Sequence, residues 1–236
     1  MRAILSLGAA MLVVAGAGFA WSAGLFPKEQ DPAYFSSAFV QGAEFQFDPP
    51  APGSYALPPI KHAPDGVVLD IAGEEKTLAE ITEGKISLVS FVYFMCGDVN
   101  GCPLAISTLY NIYDGSVNVP ALRDRVQLLT VSFDPERDTV EAIEAFHYPV
   151  TTDPDADKKI GWEVLTTSGQ DALQPILDGY GQAVDRSNDQ DRISHLLRIY
   201  LVDQEGTIRN VYGLGLIDPR LLMTDVETLM MEEGLL

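Results

Sequence analysis

The sequence predicts an α/β domain in which a mixed sheet carries helices on both faces. Two β-prone runs, residues 85–95 and 126–133, are apolar on both faces, as expected of central strands covered on each side. Helical patterns alternate with these strands along the chain. A hairpin and a terminal amphipathic helix then close the sequence, an order that is typical of a mixed sheet.

The elements before the second long strand are predicted as follows. Residues 67–70 are a short strand, residues 78–83 a brief helical turn, and residues 85–95 the first central strand. Pro103 suits the first turn of a helix that runs to about residue 113, because the missing N–H of proline has no helical partner to lose.

The second half repeats the alternation. The strand at residues 126–133 precedes a helix that opens at Asp138, a capping residue. The remaining expected elements are a strand at 162–166, a helix at 169–180, a hairpin of residues 195–202 and 207–212 around a four-residue turn, and a helix at 218–231. The order β-α-β-α-β-α-β-β-α predicts a thioredoxin-like fold.

The N-terminal region is predicted to be an export signal. Residues 3–26 contain no charged side chain. This uncharged stretch is long enough for a bilayer-spanning helix and also fits a signal peptide. We therefore divide the chain into residues 1–26 (signal peptide or transmembrane anchor), a proline-rich tether at 27–59, and a folded domain at 60–236. In either case the domain lies outside the cytoplasm.

The charge balance restricts the partners. The chain has 34 acidic and 15 basic side chains, a formal net charge of −19, and no cluster of Lys or Arg. A nucleic acid would be repelled, so nucleic-acid binding is excluded. A basic protein partner such as a c-type cytochrome is compatible with this charge.

The two cysteines point to chemistry rather than to structural cross-linking. Cys96 and Cys102 lie in one short segment, so a disulfide between them would stabilise the fold by only roughly 2 to 2.5 kcal/mol in the loop-entropy model. Cys96 follows the first central strand, and Cys102 comes just before Pro103. A helix N-terminus favours the thiolate form and is expected to lower the pKa of Cys102. Asn and Gly within residues 97–101 allow the chain to fold back and bring the sulfurs together.

Two neighbouring thiols support either of two functions. They can interconvert with a disulfide, or they can hold a soft metal such as Cu(I) or zinc. A third ligand would favour metal. His195 begins a patterned strand and would reach the sulfurs if that strand adjoins the strand before Cys96, although a lone histidine at a strand end is more often a surface residue.

Nearby polar and sulfur-containing residues have simpler explanations. Met95 is expected in the core, because adjacent side chains on a strand point to opposite faces. His147 is expected to end a helix, where a cation is favoured, and His62 is expected to be exposed in a turn. A turn and a helix cap explain Asp134 and Asp138.

Several segments resemble the Sco/SenC family in the right order. They are Ser90-Phe-Val-Tyr-Phe-Met-Cys96 with Cys102-Pro103, residues 128–139, residues 161–166, Ile193-Ser-His195 with residues 199–203 and Gly206, and Gly84-Lys85. Together they cover roughly residues 60 to 235. Any one of these segments is weak evidence, whereas five in register are strong.

The resemblance implies a set of roles. Cys96 and Cys102 match the paired copper-binding cysteines of the family, and His195 matches its metal-binding histidine. Family members bind copper and assist assembly of the binuclear copper centre of respiratory oxidases, and some act as thiol-disulfide oxidoreductases. An N-terminal anchor is also common, which implies a periplasmic or other extracytoplasmic domain held at the inner membrane.

One feature departs from the family pattern, in which three residues separate the cysteines, whereas five separate them here. The longer loop can alter copper affinity or favour the disulfide.

We expect a copper metallochaperone whose partner is a respiratory oxidase subunit or another copper-accepting exported protein. The alternative is an exported thiol-disulfide oxidoreductase that uses the cysteine pair without stable metal binding. A peroxiredoxin-type peroxidase ranks low, because no Arg occupies the loop between the cysteines.

Overall fold

A computed structural model describes residues 33–42, 45–96, 101–186 and 193–236. The strands in this part of the chain are β1 (Lys61–His62), β2 (Val67–Leu69), β3 (Glu75–Thr77), β4 (Ile86–Val92), β5 (Val126–Ser132), β6 (Gly161–Leu165), β7 (Val184–Asp185), β8 (Ser194–His195), β9 (Arg198–Val202) and β10 (Thr207–Gly213). The α-helices are α1 (Leu78–Thr82), α2 (Cys102–Gly115), α3 (Val140–Thr151), α4 (Gln170–Tyr180) and α5 (Pro219–Glu232).

Six strands form one mixed sheet in the order β1-β10-β9-β4-β5-β6. Strands β4, β5 and β6 are parallel, whereas β9 runs antiparallel to β4, and β10 antiparallel to β9. Every residue of β4 and β5 is buried, which confirms the prediction that both are central strands covered on each face.

Aromatic side chains show how the helices cover the two faces. On one face the Trp162 indole N–H donates to the Thr130 hydroxyl at 3.0 Å, and the indole ring contacts Tyr110 of α2. On the other face Phe91 of β4 packs edge-on against Tyr180 at the end of α4. The predicted sheet with helices on both faces is therefore confirmed.

Two strand predictions need correction. Strand β2 pairs with β3 in a separate two-stranded sheet instead of joining the main sheet. The predicted strand at 195–202 is interrupted, because Ser194 and His195 pair with β7 while β9 begins only at Arg198. A continuous sequence pattern thus covers two strands that have different partners.

The segment before residue 60 packs along α5. The backbone N–H of Phe35 donates to the Glu227 carboxylate at 2.8 Å, and that of Leu57 donates to the Glu232 carboxylate at 2.9 Å. Residues 34–236 form one compact unit. The domain boundary at residue 60 stays a prediction.

The predicted leader, residues 1–26, lies outside the described part of the chain. Within the described ranges, no helix is both long and apolar enough to cross a lipid bilayer.

Glu233 near the C-terminus generates a prediction about stability and pH. Both carboxylate oxygens are buried without a hydrogen-bond partner among the described residues, and burial, together with the charges of Glu205 and Asp203, raises the pKa of Glu233 to about 7. Between the ordinary pKa of 4.5 and this value, the folded state holds a proton that the unfolded chain has lost. Stability contributed by this proton therefore falls as the pH rises through that window.

We expect Glu233→Gln to unfold a few degrees Celsius higher than the wild type at pH 8, with a smaller difference at pH 5. Thermal unfolding followed by circular dichroism at both pH values measures this. Glu144→Gln, which alters an exposed carboxylate on α3, is the control and should show no pH-dependent difference. An equal effect of Glu233→Gln at both pH values would contradict the assignment.

Candidate metal centre

The three predicted ligands come from three places at one end of the sheet. Cys96 follows the carboxyl end of β4, Cys102 is the first residue of α2, and His195 lies in β8 just before β9. Strand β9 pairs with β4, with Ile199 opposite Ser90. This antiparallel pairing brings the residues before β9 to the end of the sheet that Cys96 follows.

Cys102 and His195 are in direct contact. The Cys102 Sγ lies 3.4 Å from His195 Nε2, and the Cys102 side chain is completely buried. The Cys102 sulfur also accepts a hydrogen bond from the Tyr93 backbone N–H at 3.4 Å. The sulfur is therefore held between the end of β4 and the imidazole.

Cys96 lies beside Cys102, although the ligand atoms of Cys96, Cys102 and His195 are not all within 4.8 Å of one another. Its side chain is half-buried, and it is close enough to hydrogen-bond to Cys102 and to Tyr93. Both cysteines are thiols without a disulfide between them. Residues 97–100, most of the predicted loop between them, lie outside the described part of the chain.

A backbone contact orients the His195 ring. Its Nδ1 lies 3.3 Å from the carbonyl oxygen of Ile193. Because a carbonyl oxygen can only accept, Nδ1 is the donor in this contact, and Nε2 is the nitrogen that faces the Cys102 sulfur. Backbone carbonyls orient metal-ligating histidines in the same way. The ring packs against Phe133, with 4.8 Å between centroids, and edge-on to Tyr93.

The protonation of Cys102 differs from the prediction. Burial is the largest influence on this thiol and raises its pKa well above the ordinary value, and the charge and hydrogen bond of Cys96 raise it further. The hydrogen bond from Tyr93 acts in the opposite direction and is outweighed. The predicted lowering by the helix N-terminus is therefore wrong, because removal from water disfavours the thiolate more than the backbone stabilises it.

Residues that the sequence pattern did not assign to the site hold it in place. Asp138 is buried and accepts hydrogen bonds from the Ser132 hydroxyl at 2.6 Å and from the Phe94 backbone N–H at 3.3 Å. Phe94 stacks on Phe146 of α3, with 4.2 Å between ring centroids. Asp138 thus connects the end of β5 to the turn that carries Cys96, instead of capping α3. The spacing of Asp138 from Ser132 gives no signal of this contact.

The other residues considered from the sequence lie apart from the three ligands or have different surroundings. Met95 is 71% exposed, so the expectation that it packs in the core is wrong; the strand ends at Val92, and strand alternation no longer applies. His147 lies inside α3 and is buried; burial lowers its pKa and outweighs the opposite effect of the Trp162 backbone. It is therefore not a cation at the helix end. His62 is exposed, as predicted.

The family model described as SCO1/SenC matches residues 68–231. This range includes Cys96, Cys102 and His195. The chain belongs to the SCO1/SenC family. The predicted family and thioredoxin-like fold are thereby confirmed. A search of curated protein sequences gives no match.

Solved structures of Sco proteins have the same fold. ScoI of Arabidopsis thaliana with copper bound is 19% identical, with a TM-score of 0.59 over 72% of this chain and 98% of that one. A SCO1/SenC family lipoprotein of Bacillus anthracis str. Ames is 20% identical, with a TM-score of 0.59 over 72% and 95%. BsSco is described as having a disulfide switch and as a member of the Sco family of cytochrome c oxidase assembly proteins. It is 20% identical, with a TM-score of 0.56 over 72% of this chain and 94% of that one. At these identities the similarity establishes the fold alone.

The unequal burial of the two cysteines predicts unequal reactivity in this SCO1/SenC chain. In the reduced, metal-free protein, we expect iodoacetamide to modify Cys96 at least about tenfold faster than Cys102, because Cys102 is inaccessible and its thiolate is disfavoured. No Lys or Arg separates the two cysteines, so trypsin leaves them in one peptide. Tandem mass spectrometry of timed samples therefore has to locate the modified cysteine within that peptide. Both should react at similar rates in guanidinium chloride. Faster modification of Cys102 in the folded protein would contradict the geometry.

Proposed function

We propose that this chain binds copper through Cys96, Cys102 and His195 and delivers it to an acceptor outside the cytoplasm. The observation that carries the proposal is the 3.4 Å contact between the Cys102 sulfur and His195 Nε2, with the Cys96 side chain within hydrogen-bonding reach of Cys102. The Cys102 and His195 donors come from distant parts of the sequence, and Cys96 lies beside Cys102.

The donor set fits copper. Thiolate sulfur is the soft ligand that Cu(I) prefers, and imidazole suits copper in either oxidation state. With bonds of about 2.0 to 2.3 Å, as at zinc sites, a sulfur and a nitrogen that share one metal lie about 3.5 Å apart. The separation of Cys102 Sγ from His195 Nε2 is close to this distance.

The surroundings of Cys102 favour metal binding over a persistent thiolate. Burial raises its pKa, so the metal-free site holds a neutral thiol at neutral pH. A bound cation supplies the charge that the buried sulfur lacks, and binding then releases the thiol proton. The half-buried Cys96 leaves the site accessible from one side, as transfer to an acceptor requires.

The family relationship supports the acceptor and the location. The Arabidopsis ScoI was solved with copper bound, and BsSco is described as a member of a family of cytochrome c oxidase assembly proteins. We infer that the acceptor is the copper-binding subunit of a respiratory oxidase or another copper-accepting exported protein. The Bacillus anthracis relative is described as a lipoprotein, which supports an extracytoplasmic domain held at a membrane.

A second function, thiol-disulfide exchange, has an observation of its own. The Cys96 side chain can hydrogen-bond to Cys102, so the two sulfurs are near enough for oxidation to a disulfide to need little rearrangement. BsSco carries a disulfide switch by its description. In such a reaction His195 would have no essential part.

The role of His195 separates the two functions. We expect the reduced wild-type protein to bind one Cu(I) per chain in competition with a chromophoric chelator. His195→Ala should weaken binding roughly 100-fold or more, beyond the 10- to 100-fold typical for loss of an outer-shell partner. His62→Ala changes an exposed histidine elsewhere and is the matched control.

Thermal unfolding of both variants shows whether each retains the fold. Copper affinity that is equal in His195→Ala and the wild type would contradict the metal-binding proposal. Retained thiol-disulfide exchange in that variant would then support the second function.

A further inference from the structure

The three proposed ligands are not all in position to share one metal ion. Cys102 Sγ and His195 Nε2 are 3.4 Å apart, whereas the ligand atoms of Cys96, Cys102 and His195 do not all lie within 4.8 Å of one another. The gap therefore involves the Cys96 sulfur. Two atoms bonded to one metal at about 2.3 Å or less are at most about 4.6 Å apart. Cys96 thus has to move to complete the site.

Tyr93, which directly follows β4, contacts each of the three ligands. Its backbone N–H donates to Cys102 Sγ at 3.4 Å, and its ring lies edge-on to the His195 ring with 5.9 Å between centroids. Its hydroxyl is close enough to hydrogen-bond to the Cys96 side chain. The ring also packs on Phe133 at 5.2 Å between centroids, and Tyr93 is only 4% exposed. Packing therefore holds this side chain in one place.

The Tyr93 hydroxyl can hold a sulfur atom and can also release it. Burial raises the pKa of the phenol, and the hydrogen bond with Cys96 raises it further, so the hydroxyl keeps its proton at neutral pH and can donate it to sulfur. The hydroxyl also hydrogen-bonds to the Ile193 backbone. When Cys96 moves away, the hydroxyl retains this second partner, so it is not left buried without any hydrogen bond.

The surroundings of the two cysteines show which one can move. Cys102 is completely buried at the start of α2 and is in contact with His195. Cys96 is half-buried, and its backbone N–H donates to the Tyr93 carbonyl oxygen at 3.4 Å, which closes a turn at the surface. Cys102 and His195 are therefore a preformed pair, whereas Cys96 is the ligand that can be displaced.

We propose that the Tyr93 hydroxyl holds the Cys96 sulfur out of ligand distance, which makes Cys96 the last ligand to bind copper and the first to release it. On binding, the Cys96 thiol gives its proton to solvent, and a copper–sulfur bond replaces the contact with the hydroxyl. On transfer, a ligand of the acceptor replaces the Cys96 thiolate, which takes a proton from solvent and returns to the hydroxyl. Tyr93 is thus a positioning residue, and its role rests on the copper binding proposed above.

Tyr93→Phe tests the proposal, because it keeps the ring and removes only the hydroxyl. Without a hydroxyl that competes for the sulfur, we expect this variant to bind Cu(I) about three- to tenfold more tightly than the wild type, a change that corresponds to one hydrogen bond. Competition with a chromophoric chelator measures the affinity. Release of Cu(I) to an excess of the chelator should be slower by a similar factor. A merely structural role predicts the opposite, since looser packing weakens binding.

Two further comparisons make the result specific. Tyr55→Phe removes a hydroxyl that donates to Asp225 on α5 and is the matched control, so its copper affinity should equal that of the wild type. In a Cys96→Ser background, Tyr93→Phe should not tighten binding, because there is then no third thiolate for the hydroxyl to withhold. The four proteins of this double-mutant cycle isolate the coupling between Tyr93 and Cys96. Thermal unfolding shows that each variant is folded.

Equal or weaker Cu(I) binding by folded Tyr93→Phe, with one Cu(I) bound per wild-type chain, would overturn the role of Tyr93 and leave the copper proposal intact. The same tightening in the Cys96→Ser background would also overturn it, because the hydroxyl would then act independently of Cys96. A wild-type protein that takes up no copper would overturn the copper proposal and the role of Tyr93 together.

Discussion

The candidate metal centre depends on the antiparallel pairing of β9 with β4. This pairing places Ile199 opposite Ser90, so the chain that leads into β9 passes the end of β4 where the cysteine segment begins. His195 and Cys102 are 93 residues apart in the sequence and 3.4 Å apart in space because of it. A shift of the register by one residue would turn the side chains of β9 to the opposite face. The buried residues of β9 and β4 therefore fix the site as well as the core.

Burial gives the two cysteines different properties. Cys102 is enclosed by Tyr93, His195 and the start of α2, and its thiol is kept neutral by desolvation. Cys96 lies nearer the surface, in a turn held by Asp138 and by the stacking of Phe94 on Phe146. One sulfur is thus accessible to a partner, whereas the other is protected until a cation or oxidation removes its proton. This asymmetry is compatible with the proposed binding and transfer of copper.

The sequence predicts the elements whose signal is local. The apolar runs of β4 and β5 and the helical spacing after Pro103 indicate the central strands and α2, and those predictions agree with the structure. The break between His195 and Arg198 does not show in the apolar pattern, because β8 pairs with the preceding strand β7 instead of continuing into the main sheet with β9. Strand β2 likewise pairs with β3, which follows it directly, and so stays out of the main sheet.

The errors at the site arise from the surroundings of each residue, which the sequence pattern does not show. The position of Cys102 at the start of a helix predicts a lowered pKa. Its pKa is raised instead, because Tyr93 and the region around His195 bury the thiol. Strand alternation predicts Met95 in the core, although the chain turns before reaching it. The contact of Asp138 with Phe94 likewise joins segments that are 44 residues apart. Sequence spacing identifies the reactive side chains, whereas their environment requires the fold.

X-ray absorption spectroscopy at the copper edge of the Cu(I)-loaded protein tests the central claim most directly, because it counts the atoms bound to the metal. The arrangement of Cys96, Cys102 and His195 predicts two sulfur neighbours and one nitrogen neighbour, with the nitrogen signal lost when His195 is replaced. A first shell that contains sulfur alone in the wild type would contradict the account.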